Sequence, residues 1–346
     1  MDKRLLIAQP VNAELDIFDD RYRNSISSDN AKIQAVIDHV LKSDGKRIRP
    51  ILLLLAAKAC GCINDITYSS AVTIELLHTA SLIHDDVVDE SKMRRGNPSL
   101  NAIYDNQIAV LAGDYFLSTS LIKSVLTGNI DIITIISDLG RRLAEGELNQ
   151  LFLAKDAVLD EKEYFEVISK KTASLFSACM RIGALSVNAA ENDINKFTLL
   201  GEYFGVCFQM RDDIFDYFSN DVGKPTGNDI KEGKITLPLL YALENAQNKQ
   251  ARKEMLDIIS DADFTEENIH RLISFAKENG GIDYAYRKMD EYKLKAISVI
   301  DSLPESDIRT SLYKAVDYIV KEATDFLFFY IKKPFRQKQV YSDCKF

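Results

Sequence analysis

Seven prolines and 15 glycines are few for 346 residues, and so little punctuation leaves room for long helices. Basic residues are outnumbered, 43 against 52 acidic, and the net charge of -9 gives nucleic-acid binding no electrostatic support. There is no Walker lysine loop, no GxGxxG after a strand and no zinc-type Cys/His spacing. The five cysteines (Cys60, Cys62, Cys179, Cys207, Cys344) are odd in number and scattered. A chain of this size needs no covalent staples, so a reduced, cytoplasmic compartment is expected. No stretch reaches the roughly 18 uninterrupted apolar residues of a membrane span. The apolar run near the N-terminus is too short for a secretory signal.

What is present is ordinary for a globular protein with a substantial core: 46% hydrophobic and 27% charged residues. Apolar residues recur at i, i+3 and i+4 across most windows. The pattern predicts helices at about 30–43, 47–60, 67–92, 99–126, 130–154, 160–190, 194–218, 234–245, 249–260, 265–278, 281–302 and 306–332. Ser99, Asp160 and Thr265 stand where N-caps are expected. The β-branched run IDIITII (130–136) favours a strand locally, but helix flanks it on both sides and nothing nearby could pair with it. The reading is a single all-α domain over 1–346, with a core at about 25–325 and an aromatic, basic tail at 326–346. The tail sequence FLFFYIKKPFRQK suits packing on the body or on a second subunit, or weak contact with a membrane surface.

Two acidic clusters break the apolar pattern. SLIHDDVVDES carries Asp85, Asp86 and Asp89, and FQMRDDIFDYF carries Asp212, Asp213 and Asp216. Both fall near the C-terminal ends of helices that are apolar over much of their circumference, and so expected to be central. That end of a helix already bears partial negative charge, and each uncompensated buried carboxylate costs several kcal/mol. A cation is therefore required. The i, i+4 spacing stacks Asp85 with Asp89 and Asp212 with Asp216. Oxygen-only donors point to Mg²⁺ or Mn²⁺, which completes its shell with water and substrate phosphate. Basic residues lie close by in the sequence: GKRIRP (45–50), MRRG (93–96) and GKPTGNDIKEGK (223–234). They suit a diphosphate that metal alone does not neutralise.

Together DDVVD with MRRG, GKRIRP, His78 in ELLHTASLIHDD, and QMRDDIFD with GKPTGNDIKEGK resemble the trans-isoprenyl diphosphate synthases, over roughly residues 40 to 245. The resemblance implies a helical bundle of the isoprenoid synthase type with a central active-site cavity, and a homodimer. It implies the head-to-tail joining of isopentenyl diphosphate to an allylic diphosphate. By the same similarity Asp85, Asp86, Asp89, Asp212, Asp213 and Asp216 would hold three Mg²⁺ on the allylic diphosphate. Arg94, Lys171, Lys224 and Lys234 would complete that site, and Lys46, Arg49, His78 and Arg95 would bind isopentenyl diphosphate without metal. Thr172 and Gln209 would stabilise the carbocation left by ionisation.

Chain length follows from the path of the tail along the first aspartate helix toward its N-terminus. Ala80 and Ser81, about one turn before Asp85, are small where short-chain members carry aromatics, which leaves the path open. Leu76, Leu77 and Thr73 lie deeper, and Leu148, Leu151 and Phe152 are candidates for a floor from another helix. The expectation is a long product of about thirty to forty carbons, the tail running down at about 1.5 Å per residue. The alternatives are a farnesyl- or geranylgeranyl-type synthase and, remotely, a non-catalytic helical subunit.

Overall fold

The computed structural model describes residues 3–42, 45, 47–218 and 226–331, with side chains placed for 6–320. Lys46, Lys224 and the aromatic tail, all named above, lie outside the residues or side chains described.

Apart from one small strand pair, the regular structure of the described residues is helical. Two helices that the sequence pattern did not single out open it: α1 (Lys3–Ala8) and α2 (Asn12–Arg23), followed by α3 (Ala31–Lys42) and α4 (Ile48–Cys60). Helix α2 buries only Phe18 and Tyr22, one turn apart, which is too little to register as a pattern. The first aspartate helix is α5 (Asp65–Val88). It starts at a capping box: Asn64 Oδ1 accepts from the amides of Ile66 and Thr67, and Thr67 Oγ1 accepts from the Asn64 amide. The expected helix 99–126 is broken. A two-residue antiparallel pair, Met93–Arg94 with Asn97–Pro98, leads into α6 (Leu100–Ile103). Asp105 then starts α7 (Asn106–Val125) by accepting from the Ile108 amide. Ser99 precedes α6 but caps nothing, because its hydroxyl donates to the Ser91 carbonyl.

IDIITII forms the first turns of α8 (Ile130–Lys155), capped by Asn129. Ile132, Ile136 and Leu139 repeat at helical spacing and are fully buried, so tertiary packing overrides β-propensity there. Helix α9 (Glu161–Ile168) begins at the Asp160 cap and runs through a π-turn at Ser169–Ala173 into α10 (Ser174–Ser186). The second aspartate helix is α11 (Glu191–Phe215). Six more follow: α12 (Asn228–Lys231), α13 (Leu237–Asn245), α14 (Lys249–Ser260), α15 (Glu266–Glu278), α16 (Gly281–Asp301) and α17 (Asp307–Ile331).

Helix α5 packs on α4, α7 and α10, while α11 packs on α10, α16 and α17. The α4–α10–α11 layer is unusually close. A β-carbon on Gly183 of α10 would lie 2.3 Å from the Leu53 carbonyl of α4, and one on Gly201 of α11 would lie 2.5 Å from the Phe176 carbonyl of α10. The main core fills the space among these helices, and a smaller one lies under α13 to α16. On the outside, α7 and the start of α8 expose Leu111, Ile122, Leu126 and Ile130 at 61–72%. Helix α7 also has the length and mean hydropathy (1.3) of a membrane span, with 28% of that window buried.

Candidate active site

Both acidic clusters sit at the C-terminal ends of their helices, with Asp89 and Asp216 as the terminal residues. The one-turn stacking is kept: the Asp89 amide donates to the Asp85 carbonyl at 2.8 Å, and that of Asp216 to the Asp212 carbonyl at 3.3 Å. Within each cluster the middle aspartate is the buried one. Asp86 Oδ1 accepts from Arg94 Nε and Nη2 at 2.7 and 2.6 Å. The small hairpin thus turns Arg94 back onto the cluster it follows. Asp213 Oδ2 accepts from the Tyr164 hydroxyl at 2.6 Å, and its Oδ1 from Gln209 Nε2 at 2.7 Å.

The outer aspartates are partnered as well. Arg211 clasps Asp212 at 2.6 and 3.0 Å. Lys234 reaches across to Asp89 at 3.2 Å while also pairing with Glu232. Asp216 accepts from the amides of Asn228 and Asp229, so it anchors the start of α12. Burial pushes the Asp85 carboxyl up to about 6; Lys171 and Arg94 partly offset this, while Glu147 and Asp89 reinforce it. Burial likewise pushes Asp213 up to about 7, against the hydrogen bonds from Tyr164 and Gln209 and with Asp212 and Asp216 adding to the rise. These are carboxylates arranged against their own ionisation, as a cation site would be before its cation arrives.

The basic groups gather on the facing wall. A cavity of about 860 Å³ is lined by Arg49, His78, Arg94 and Arg95 on one side and by Asp212, Asp213 and Asp216 on the other. Arg49 is held below its ordinary range by burial, and its Nε has no hydrogen-bond partner. Burial, then Arg49, Arg95 and Arg94, keep His78 well below its usual range, so its imidazole is neutral. A neighbouring cavity of about 120 Å³ takes Lys171, Thr172 and Lys234, and shares Gln209 and Asp213 with the first. Lys171 donates to Glu147 and Gln150 of α8.

The donor set fits a hard divalent cation, because it is made of carboxylate oxygens only. Among the described residues no three His, Cys, Asp or Glu side chains converge closely enough to hold an ion unaided. Few protein ligands with phosphate and water completing the shell is the usual arrangement for Mg²⁺.

Residues 30–275 match the sequence model of the polyprenyl synthetase family. The chain belongs to that family. It is a polyprenyl diphosphate synthase, a prenyltransferase. It is 35% identical over 298 residues to the octaprenyl diphosphate synthase of Haemophilus influenzae, covering 84% of this chain and 90% of the relative. Among solved structures, the geranylgeranyl pyrophosphate synthase of Bacteroides thetaiotaomicron superposes with a TM-score of 0.81 at 45% identity, over 93% of this chain and all of that one. The polyprenyl synthase of Caulobacter crescentus, solved with calcium and isoprenyl diphosphate, gives 0.86 at 31%, over 92% and 98%.

Several residues of the synthase's site carry no sequence motif. Glu75 is buried in the basic wall: its Oε1 accepts from Arg47 at 3.0 Å, and its Oε2 has no partner. The one signal for it is a lone acid inside the apolar run of α5. Glu147 and Gln150 come from α8, and Tyr164 from α9, more than forty residues from the aspartate it serves. Burial and the adjacent Asp213 hold the Tyr164 phenol well above its ordinary range, so it acts as a donor.

The π-turn explains how Lys171 and Thr172 come to face the site. A β-carbon on Gly146 of α8 would lie 2.8 Å from the Lys171 amide nitrogen, and one on Gly205 of α11 would lie 2.4 Å from Ala173 Cα. The wide turn is gripped between two helices at glycines that leave no room for a side chain. Single π-turns within α-helices are frequent at functional sites. Here the turn sets Thr172 Oγ1 2.6 Å from Gln209 Oε1.

Along the expected tail path Ala80 is buried, and the Ser81 hydroxyl folds back onto the His78 carbonyl at 2.9 Å. Leu77 is buried one turn deeper, in ordinary contact distance of the space beside Gly140 of α8. Leu148, Leu151 and Phe152 do not form a floor within one chain, because all three are exposed on the outer face of α8.

Proposed function

We propose that this synthase joins isopentenyl diphosphate head to tail to an allylic diphosphate, repeatedly, to give an all-trans polyprenyl diphosphate of about thirty to forty carbons, on a path that descends α5 at about 1.5 Å per residue. The observation that carries the reading is the cavity with carboxylates on one wall and Arg49, His78 and Arg95 on the other. Asp85, Asp89, Asp212 and Asp216 are the carboxylates for Mg²⁺ (or Mn²⁺), three ions in the family's pattern. Asp86 and Asp213, the buried members of their clusters, orient their neighbours. When bound, the metal supplies Lewis-acid activation of the allylic diphosphate as a leaving group.

The chain's own residues do the rest. Lys171, Lys234 and Arg94, with Lys224, steady the allylic diphosphate. Arg49, Arg95 and the neutral His78, with Lys46, hold isopentenyl diphosphate, and the unpartnered Arg49 Nε offers it a donor. As the C–O bond breaks, the oxygens of Thr172 and Gln209 face the allylic cation in a site shielded from water. The isopentenyl double bond forms the new C–C bond, and the departing diphosphate takes the proton, so no side-chain base is required. The enzyme is read as cytoplasmic, in keeping with four unbridged cysteines among the described residues. It is read as a homodimer, in keeping with the exposed apolar face of α7 and α8.

The small side chains of Ala80 and Ser81 support the long product. A second reading, a twenty-carbon product, is favoured by the 45% identity to a geranylgeranyl pyrophosphate synthase and by Leu77 standing below Ser81. Incubation with farnesyl diphosphate, labelled isopentenyl diphosphate and Mg²⁺ separates them. Products of thirty or more carbons are expected, a stop at twenty carbons establishes the second reading, and no Mg²⁺-dependent product overturns both.

A further inference from the structure

We infer that Tyr164 is a positioning residue for the condensation, acting through Asp213 and Gln209 to fix which atoms of Thr172 and Gln209 face the reacting centre. This rests on the carbocation reading above. The four side chains form one continuous chain of short hydrogen bonds: Tyr164 to Asp213 Oδ2 at 2.6 Å, Gln209 Nε2 to Asp213 Oδ1 at 2.7 Å, and Thr172 to Gln209 Oε1 at 2.6 Å. Tyr164 and Asp213 are both buried, at 8% and 3% exposure, at the back of the two joined cavities.

The direction of each bond follows from what each group can do. The ionised form of Asp213, which the hydrogen bonds from Tyr164 and Gln209 favour, only accepts, so it takes the amide nitrogen of Gln209 and not its oxygen. That choice turns Gln209 Oε1 toward Thr172, and an oxygen there requires Thr172 to donate its only hydroxyl proton. With that proton committed, Thr172 presents lone pairs to the cavity, and Gln209 Oε1 has one acceptor direction left. Both dipoles are then set negative end outward before any positive charge develops, which is electrostatic preorganisation. Tyr164 sits at the origin of this order. Its phenol occupies the second oxygen of Asp213, so the carboxylate cannot swing away and release Gln209. Without it, Gln209 is free to flip and Thr172 is free to aim its proton at the cavity. Tyr164 touches no substrate in this scheme. Its effect is on orientation alone.

The test is Tyr164→Phe in the full-length synthase, which removes one hydroxyl and keeps the ring packed edge-on against Phe165. A fall in kcat of about ten- to a hundredfold is expected, as for a small misplacement of groups near the chemistry. The KM of each diphosphate should stay within about twofold, because P–O contacts are untouched. Calorimetric binding of Mg²⁺ with pyrophosphate should match the unaltered protein. Tyr164→Phe combined with Thr172→Val should be no slower than Thr172→Val alone, since both break one chain. If Tyr164→Phe fails to fold, Tyr164→Met, which also lacks the hydroxyl, serves instead, with the same expected loss of kcat and unchanged Mg²⁺–pyrophosphate binding. An unchanged kcat, additive losses in the double variant, or a loss that tracks weakened Mg²⁺–pyrophosphate binding overturns the inference. If the unaltered protein forms no new C–C bond, the functional reading fails first and this inference falls with it.

Discussion

Asp85 shows how one side chain is costly to the fold and indispensable to the chemistry. Its carboxyl is raised to about 6, and that of Asp213 to about 7, chiefly by burial. Each binds its proton more tightly folded than unfolded. Each therefore contributes stability that is present at pH below about 4 and lost as pH rises through 6 or 7. His78 works the other way, since its depressed value favours protonation of the unfolded chain as pH falls below its ordinary value of 6.5, but it is one group against several raised carboxyls. In EDTA, scanning calorimetry should accordingly give a higher melting temperature near pH 5.5 than near pH 7.5, and saturating Mg²⁺ with pyrophosphate should shrink or reverse the difference. Asp85→Asn should flatten this slope and stabilise the metal-free protein. Its kcat should fall on the order of a hundredfold or more, because several kcal/mol of charge stabilisation depends on the metal it holds. The aspartates were legible because charge at the end of an apolar helix contradicts its surroundings. Tyr164 and Glu75 were not, because a tyrosine in an amphipathic helix and a single acid in an apolar run each have an ordinary structural explanation. Only the distances single them out.

At the scale of elements, the sequence pattern found the long helices wherever an apolar face repeats for three turns or more, even across the β-branched start of α8. It ran 160–190 as one helix and could not see the π-turn at Ser169–Ala173, since that turn is imposed by neighbours. Gly146 and Gly205 press on it from two sides, and neither lies near it in sequence. Gly205→Ala puts a methyl where Ala173 Cα stands. The expected cost is about 1–3 kcal/mol of stability, typical of overpacking, read as a lower denaturant midpoint at unchanged slope. The displaced turn should also reduce kcat per folded molecule by moving Lys171 and Thr172. An unchanged kcat would show that the turn tolerates the shift. The 93–98 hairpin was equally hidden, because two-residue strands have no period to detect, yet it is what returns Arg94 to Asp86.

For the whole molecule, family membership lies in motifs held in a fixed order, whereas product length turns on a few side chains and on what closes the tail's path. The apolar face of α7 and α8 bears on that too. Leu111, Ile122, Leu126 and Ile130 lie exposed along it, and a stable interface needs about 800 Å² from each partner. Light scattering should report twice the chain mass for the unaltered protein, and Leu111→Glu with Ile122→Glu should give a monomer. A monomeric unaltered protein would refute the dimer.

The close layer of α4, α10 and α11 carries a mechanical meaning. Helices that meet backbone to backbone can neither slide nor roll without collision, so these three form an anvil, and Arg49, Thr172 and Asp212 are mounted on or against it. Arg94 and Lys234, by contrast, reach the aspartates through ion pairs at the tips of long side chains, Arg94 to Asp86 and Lys234 to Asp89. A side chain added at Gly183 or Gly201 has no room to turn aside and must pry whole helices apart.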